Sequence, residues 1–347
     1  MITKLPLRTT VSLSPVLLLA GLLLFSLPAA AEAGGEENGS QGRLAAETPR
    51  SNQGSTLAFI PMGDARNVAV IDLAQGAVRA TIPVEGAPHG GAVTPDGRFL
   101  YTANMGGKVI SIVDLAARRV VRTLDVGDIS HHMAVSPDGK LLYVAAKQLL
   151  VLDTATQRIV RTIRLTEPPF HLEFAPDGRA LYVLNMGTTL SVVDPVTAKE
   201  VAVLPVGRSM MGHVAVSPDG TRLYVTDEQD DTLTVLDVVA KRRLAKITVG
   251  KAPHAVAVTR DGGKVYVGVR GSTFLTVIDA TTLEVRRRLE VGQQPEHLAV
   301  GPDGLMYLTV NTGSNRLVII DPEREAVTTS LPLWPGPHSI SFGQGAL

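Results

Sequence analysis

One segment of this chain returns, with variations, about every 42 residues as far as the C-terminus. In its clearest copy, residues 88–104, a histidine follows a proline, an Asp-Gly pair marks a turn and a Leu-Tyr pair opens an apolar run. Six copies carry the Asp-Gly pair, and proline precedes it in five of them. Glycine permits the positive φ that a tight hairpin turn needs, so each copy predicts two short antiparallel strands.

A second marker is an aspartate that ends an apolar run, and its successive spacings lie between 39 and 43 residues. The seven aspartates are Asp72, Asp114, Asp153, Asp194, Asp237, Asp279 and Asp321. Each full repeat therefore holds four strand-like runs, lettered A to D here, which in one unit lie near residues 90–94, 99–103, 108–113 and 119–125. Four-stranded units at this period are typical of a β-propeller.

The two ends of the repeat array complement each other. The first unit supplies runs B, C and D but no run A, whereas residues 337–342 supply a single run A. We therefore predict an all-β, seven-bladed β-propeller with four-stranded blades at residues 56–343. A C-terminal strand A joins the N-terminal B, C and D strands and closes the ring, which leaves no open edge between blades.

The N-terminus differs in composition from the repeats. Lys4 and Arg8 precede an apolar run at 16–27, which small residues follow at A-x-A spacing. This pattern predicts a secretory signal peptide at 1–33 and a periplasmic or secreted protein. An uncleaved membrane anchor is the alternative, for which the apolar run is short. Residues 34–55 are rich in Gly, Glu, Asn, Ser and Gln, which predicts a flexible leader, and residues 344–347 form a short tail.

Composition excludes several kinds of function. The formal net charge is zero, so the chain lacks the basic field that holds nucleic acid. It has no cysteine, which excludes disulfides, thiolate metal sites and covalent c-type haem attachment. After signal cleavage we expect no transmembrane segment, because no other run is long and apolar enough.

The repeats resemble the YVTN family of seven-bladed β-propellers. The resemblance rests on Leu-Tyr-Val-Thr-Asp at 223–227, Leu-Tyr-Val-Leu-Asn at 181–185, Leu-Tyr-Thr-Ala-Asn at 100–104 and the Pro-Asp-Gly turns. It implies an exported protein similar to binding proteins, subunits of quinone-linked amine dehydrogenases, haem-binding domains of bacterial nitrite reductases and, more distantly, lactonases. One departure is that histidine often occupies a position where the family commonly has glycine.

All eight histidines fall at the junction between strand D of one repeat and strand A of the next, so every blade has at least one. They form two adjacent columns: His89, His131, His254 and His338 in the first, and His132, His171, His213 and His297 in the second. The D–A junctions and B–C loops share one end of the propeller, which we call the top face. Because neighbouring residues of a strand point to opposite sides, we expect about half of the histidines to line the channel.

Other residues of chemical interest map to the same top face. Met62, Met105 and Met186 share a column in the B–C loops, and Glu228 and Glu296 add oxygen atoms nearby. Histidine imidazole and methionine thioether together, without cysteine thiolate, form a ligand set that suits copper best among common metals. The predicted metal ligands are His89, His132, Met105 and Met186. The predicted ligand or partner rim contains all eight histidines together with Asn104, Lys147, Arg270 and Trp334.

Three functions remain open on the sequence. The first is an exported, non-catalytic binding or scaffold protein, which holds a small ligand or a protein partner at the top of the channel, such as a periplasmic redox enzyme. The second is a protein that binds copper or a haem-like macrocycle through His and Met. The third is a lactonase-like or lyase-like enzyme, so catalysis is undecided. Beside all three stands a structural role, in which imidazoles cap backbone groups between blades.

Overall fold

The computed structural model describes residues 56–208, 211–311 and 313–344. Over these ranges the chain forms short strands joined by turns and contains no helix, hence none that could span a membrane. The predicted signal peptide (1–33) and leader (34–55) lie outside the described residues, as do the last three residues of the predicted tail.

In the described part of the chain, the strands form seven antiparallel sheets of four strands each, and every sheet is one blade. Blade one combines β1 (Thr56–Met62), β2 (Asn67–Asp72) and β3 (Ala77–Pro83) with the last strand, β28 (Ser341–Gln344). Blade two contains β4 (Ala87–Val93), β5 (Phe99–Met105), β6 (Val109–Asp114) and β7 (Arg119–Asp125); blade three contains β8 (Met133–Val135), β9 (Leu141–Ala145), β10 (Leu149–Asp153) and β11 (Arg158–Ile163). Blade four contains β12 (Pro169–Phe174), β13 (Leu181–Asn185), β14 (Thr189–Asp194) and β15 (Lys199–Pro205); blade five contains β16 (Val214–Val216), β17 (Arg222–Asp227), β18 (Thr232–Asp237) and β19 (Arg242–Thr248). Blade six contains β20 (Pro253–Val258), β21 (Lys264–Val269), β22 (Phe274–Asp279) and β23 (Val285–Glu290); blade seven contains β24 (Pro295–Val300), β25 (Met306–Val310), β26 (Arg316–Asp321) and β27 (Ala326–Pro332). The predicted seven-bladed β-propeller is confirmed.

Both sets of turns follow from local side-chain chemistry. At the first A–B turn, Gly97 has a φ of 68° and its N–H donates to the carbonyl of Thr94 at 2.8 Å. At the first C–D turn, Oδ1 of Asp72 accepts the backbone N–H groups of Ala74 and Gln75 at 3.0 and 3.1 Å. A carboxylate in this position satisfies amides that the turn would otherwise leave unpaired, which explains why every repeat has one.

The core lies between blades. Seven clusters of buried apolar side chains each join two neighbouring blades, with five of the six tyrosines less than 2% exposed. The middle strands are buried almost throughout, as β5 and β6 show, whereas the outer β7 is mostly exposed. Blades are thus covered on both faces and solvated at the outer edge, so their middle strands are continuously apolar.

The C-terminal strand closes the ring as predicted. β28 pairs with β1 from Phe59–Ser341 to Thr56–Gln344. It begins at Ser341, later than the predicted start of run A, and one isolated bridge joins Pro337 to Met62 before it. Phe342 packs edge-on against Tyr307 of blade seven, with ring centroids 5.3 Å apart. The strand therefore connects the N-terminal strands of blade one to blade seven.

We expect deletion of residues 337–347 to lower the melting temperature by about 10 °C or more. The deletion removes a four-residue ladder and the buried Ile340, a loss on the order of 5 kcal/mol. Deletion of residues 345–347 alone is the matched control and should leave the melting temperature unchanged. Differential scanning calorimetry of both truncations checks this, and equal melting temperatures would show that the ring does not depend on its closing strand.

Candidate functional site

All eight histidines line one cavity at the top end of the central channel, which we call the histidine cavity. Its volume is about 90 Å³. The other described residues that line it are Gly90, Met105, Phe170, Met211 and Arg270. Every blade contributes at least one side chain from the start of its innermost strand or from the junction just before it, so the site exists only when the ring is complete.

The two histidine columns do not separate as strand alternation predicted, because both face this cavity. The ladder is irregular between Pro169 and His171 in β12 and between Pro295 and His297 in β24. In blades three and five the inner strands begin only after the histidines, at Met133 and Val214. Where the strand pairing is irregular, or where the strand has not yet begun, successive side chains do not alternate between the two faces. Adjacent histidines can therefore face the same side.

The second column forms a stacked arc. The ring centroids of His132 and His171 lie 4.0 Å apart, and those of His171 and His213 lie 4.1 Å apart, with interplanar angles of 25° and 23°. His297 lies across the cavity, with its ring centroid 6.1 Å from that of His132. One ligand atom each from His132, His171 and His297 lie within 4.8 Å of one another. Three blades thus bring three imidazoles to one point.

Blade two cannot add a fifth histidine to the second column. Gly90 occupies that position, and a Cβ atom there would lie 2.4 Å from the carbonyl oxygen of His131. This distance is well inside van der Waals contact, so the backbone of blade three requires glycine.

Hydrogen bonds orient two of the second-column rings. The backbone N–H of Leu172 donates to Nδ1 of His132, and that of Val214 donates to Nδ1 of His171, both at 3.4 Å. Each amide belongs to the inner strand of the next blade, so the ring is fixed across a blade boundary. Both nitrogens of His297, in contrast, are buried and have no hydrogen-bond partner among the described residues.

Burial keeps these imidazoles neutral at pH 7. Loss of solvation lowers the pKa of His132 to about 3 and holds the pKa of His171, His213 and His297 well below 6.5, and neighbouring histidines add to the effect. A neutral imidazole has one unprotonated nitrogen, which is the form that binds a metal ion.

A charged network occupies the side of the cavity formed by blades five, six, seven and one. Nδ1 of His254 lies 2.5 Å from Oε1 of Glu228, and Nε of Arg270 donates to Oε2 of Glu296 at 3.0 Å. Arg270 also donates a second bond to Glu296, and Nε2 of His338 lies 3.3 Å from the same carboxylate. Burial acts to raise the pKa of Glu296, but the bonds from His338 and Arg270 outweigh it and hold that pKa well below its usual range.

This network is less suited to a metal ion than the second column. One ligand atom each from His254, Glu296 and His338 come within 4.8 Å of one another. The guanidinium of Arg270 already supplies the cation that Glu296 needs, and Arg270 is also 3.5 Å from Glu228. Arg270 is consequently held by two carboxylates rather than free for an anion.

The remaining predicted site residues occupy different places. His89 lies against His338 with ring centroids 3.3 Å apart and planes tilted by 32°, and the ring centroids of His131 and Phe170 are 4.9 Å apart. Among the predicted metal ligands, His89, His132 and Met105 line the cavity, whereas Met186 is 37% exposed and is absent from the described lining. The predicted rim residues Asn104, Lys147 and Trp334 are likewise absent from that lining. Asn104 is buried and donates to Ser111 at 2.9 Å, and Lys147 and Trp334 are exposed.

A larger space, which we call the lower chamber, continues below the histidines toward the A–B turns and has a volume of about 510 Å³. The four second-column histidines line it as well as the histidine cavity, so they separate the two spaces. Glu173, which is not among the predicted site residues, also lines the chamber. The sequence does contain a sign of it. The position two residues after the second histidine column has a small residue in the other repeats, and Glu173 replaces it.

Comparison with known proteins places this geometry among propellers. The model of the cytochrome D1 haem domain family matches residues 54–167, and the model of the seven-bladed β-propeller lactonases matches residues 212–331. The chain is a seven-bladed β-propeller related to both families. Each model covers about a third of the chain. No curated protein matches the chain.

Solved structures share the fold over most of the propeller. A chain of Kuenenia stuttgartiensis hydrazine synthase is 24% identical with a TM-score of 0.69, and the match covers 81% of this chain and 99% of that one. The dihydro-haem d1 dehydrogenase NirN, solved in complex with DHE, is 19% identical with a TM-score of 0.63, and the match covers 82% of this chain and 74% of that one. These levels of identity support a common architecture.

Proposed function

We propose that this chain is an exported binding protein that holds one transition-metal ion, copper first, in the histidine cavity. The observation that carries the proposal is that His132, His171 and His297, from three blades, place ligand atoms within 4.8 Å of one another in a buried site. The neutral state of all three supports it, since a metal ion needs unprotonated nitrogen.

The hydrogen bonding of these rings favours a ligand over a purely structural role. A structural imidazole satisfies backbone groups, and His132 and His171 do so through Nδ1. His297 satisfies none, and an unpaired buried polar group costs about 1–3 kcal/mol. A bound ion would remove that cost.

The two amide contacts favour the tautomer of His132 and His171 with the proton on Nε2, which opposes metal binding at that atom. Each contact is long, at 3.4 Å, and a hydrogen bond contributes about 0.5–1.5 kcal/mol. A structural zinc site releases about 10–16 kcal/mol on binding, so exchange of the proton to Nδ1 is a small opposing cost.

The donor set points to copper among the metals that imidazole binds. Imidazole suits zinc, copper, iron and nickel, whereas a thioether selects the softer copper(I). Met105 and Met211 both line the cavity, at 37% and 44% exposure, so thioether sulfur stands at its mouth. Copper bound by histidine with nearby methionine would be redox-active, which agrees with a place beside a periplasmic redox enzyme.

A haem-like macrocycle is the other cofactor that the related families suggest, and the cavity does not fit it. Pockets that enclose small organic molecules usually measure about 300–1,000 Å³, whereas the histidine cavity measures about 90 Å³. The rings of His132, His171 and His213 are stacked within that space. A single ion fits among them, but a tetrapyrrole does not.

The surface around the cavity supports the docking of a protein partner. Five large apolar side chains at D–A junctions or B–C loops are each more than a third exposed: Met105, Ile129, Met186, Met211 and Trp334. Apolar surface of this kind around a site is typical of interaction faces. We therefore place the partner on the top face, over the mouth of the cavity.

Titration of the purified protein, without a histidine tag and after treatment with EDTA, tests the metal proposal. We expect one equivalent of copper per chain to bind and to raise the melting temperature. Zinc should compete only weakly if the methionines contribute. Failure of copper, zinc, nickel and iron alike to bind or to shift the melting temperature would refute the proposal.

The pH dependence of copper affinity provides a second test. Because burial keeps the three histidines neutral, we expect affinity to change by less than about twofold between pH 8.0 and 6.5. Three solvent-exposed histidines with the ordinary pKa of 6.5 would each be half protonated at the lower pH, which weakens binding about eightfold. Competition titrations at both pH values distinguish the two cases, and an eightfold loss would place the copper on exposed histidines.

A further inference from the structure

The lower chamber contains one ionisable side chain apart from its histidine roof. Glu173 follows His171 by two residues in β12, so both side chains face the channel. At the equivalent position the other six blades have only small residues, namely Ala92, Ala134, Ala215, Ala257, Ala299 and Ser341. Among the described lining residues of the chamber, Glu173 is the only carboxylic acid, and there is no lysine or arginine.

The surroundings of this carboxyl group leave it without a counter-charge. Its side chain is exposed to the open lumen that the inner strands surround. The other titratable groups of the lining are His132, His171, His213 and His297, which burial keeps neutral. Glu173 is therefore the single acidic group of the described lining, and a cation could balance its charge.

The shape and remaining chemistry of the chamber define that cation. Its volume of about 510 Å³ lies within the range of small-molecule pockets, about 300–1,000 Å³. Valine and alanine side chains from several blades form part of its wall, for example Val216, Val258 and Val300. A metal ion would need several oxygen ligands, and Glu173 is the one carboxylate there. An ammonium group on a short hydrocarbon body matches both features.

We propose that the lower chamber is a second binding site, for a small primary amine whose ammonium group pairs with Glu173 while its hydrocarbon part contacts the aliphatic wall. This site is separate from the proposed copper site, since the second-column histidines lie between the two. The probe is n-butylamine, and n-butanol of similar size without the charge is its matched control.

Calorimetric titration of EDTA-treated protein at pH 8.0 is the test. We expect n-butylamine to bind at least about tenfold more tightly than n-butanol. Glu173→Gln should remove that difference, whereas Glu284→Gln, at an exposed turn position, should retain it.

Several results would overturn this inference. Equal binding of amine and alcohol would make the chamber an apolar pocket only, and binding of neither up to 10 mM would leave it without this ligand class. Amine binding that survives Glu173→Gln would place the amine elsewhere. Because the protein is metal-free throughout, failure of the copper proposal would not affect any of these outcomes.

Discussion

His297→Ala should lower the affinity for copper about a hundredfold or more. His297 is one of three ligands that lie within 4.8 Å of one another, and its two nitrogens have no other partner in the described structure. A structural site with four ligands releases about 10–16 kcal/mol, so loss of one ligand removes roughly 3 kcal/mol, which corresponds to a hundredfold change in affinity. Competition against a chelator of known affinity measures the change.

His131→Ala is the matched control for this substitution. His131 lines the same cavity and contacts Phe170, yet it does not belong to the group of three. It should change copper affinity by less than about threefold. His171→Phe provides a second variant, which keeps an aromatic ring in the stack but removes the nitrogen ligands. Equal losses in His131→Ala and His297→Ala would mean that copper does not select the three-histidine group.

The metal-free protein should lose stability steeply as the pH falls below 6.5. His171, His213 and His297 are 5%, 5% and 8% exposed, and burial holds the pKa of each well below 6.5. Between the folded and unfolded pKa values the unfolded chain binds more protons, so stability is complete above pH 6.5 and declines as the pH falls. Each such group reduces the free energy of unfolding by about 1.4 kcal/mol per pH unit, so these three alone reduce it by roughly 4 kcal/mol per pH unit.

This loss is large beside the total stability of a typical domain, about 5–15 kcal/mol. Urea unfolding followed by far-ultraviolet circular dichroism at pH 7.5, 6.0 and 5.0 measures it. His213→Phe removes one titrating group and should reduce the slope by about 1.4 kcal/mol per pH unit. Copper should shift the acid transition to lower pH, because it binds the neutral rings of the folded state only. A free energy of unfolding that stays constant from pH 7.5 to 5.0 would mean that the histidines are not buried as neutral groups.

The fold could be predicted because its determinants are local. Asp72 and its six equivalents accept turn amides within three residues, and Gly97 and its equivalents provide the positive φ of a hairpin. Such contacts depend on neighbouring residues alone, so the residues that make them can be recognised in each repeat of the sequence. The closure of the propeller could be predicted as well, because the N-terminal unit lacks one strand and residues near Ser341 supply it.

The candidate site was only partly predictable, because its geometry depends on departures from regular strands. The sequence placed all eight histidines at the top of the channel, and the structure puts them there. The expected division of the two columns was wrong, since irregular pairing near His171 and His297 turns both columns inward. Which three imidazoles meet depends on distances across the propeller channel, and the spacing of the repeats does not encode those distances. Glu173 was missed because a single exception within a column of small residues resembles an ordinary exposed glutamate.

Anomalous diffraction at the copper edge, from crystals of the copper-loaded protein, tests the central proposal most directly. We predict one strong peak per chain, about 2 Å from a nitrogen of each of His132, His171 and His297. His297→Ala crystals prepared in the same way should lose the peak. No peak in the histidine cavity, or a peak only beside exposed side chains such as Met186, would contradict the assignment of this cavity as a metal site.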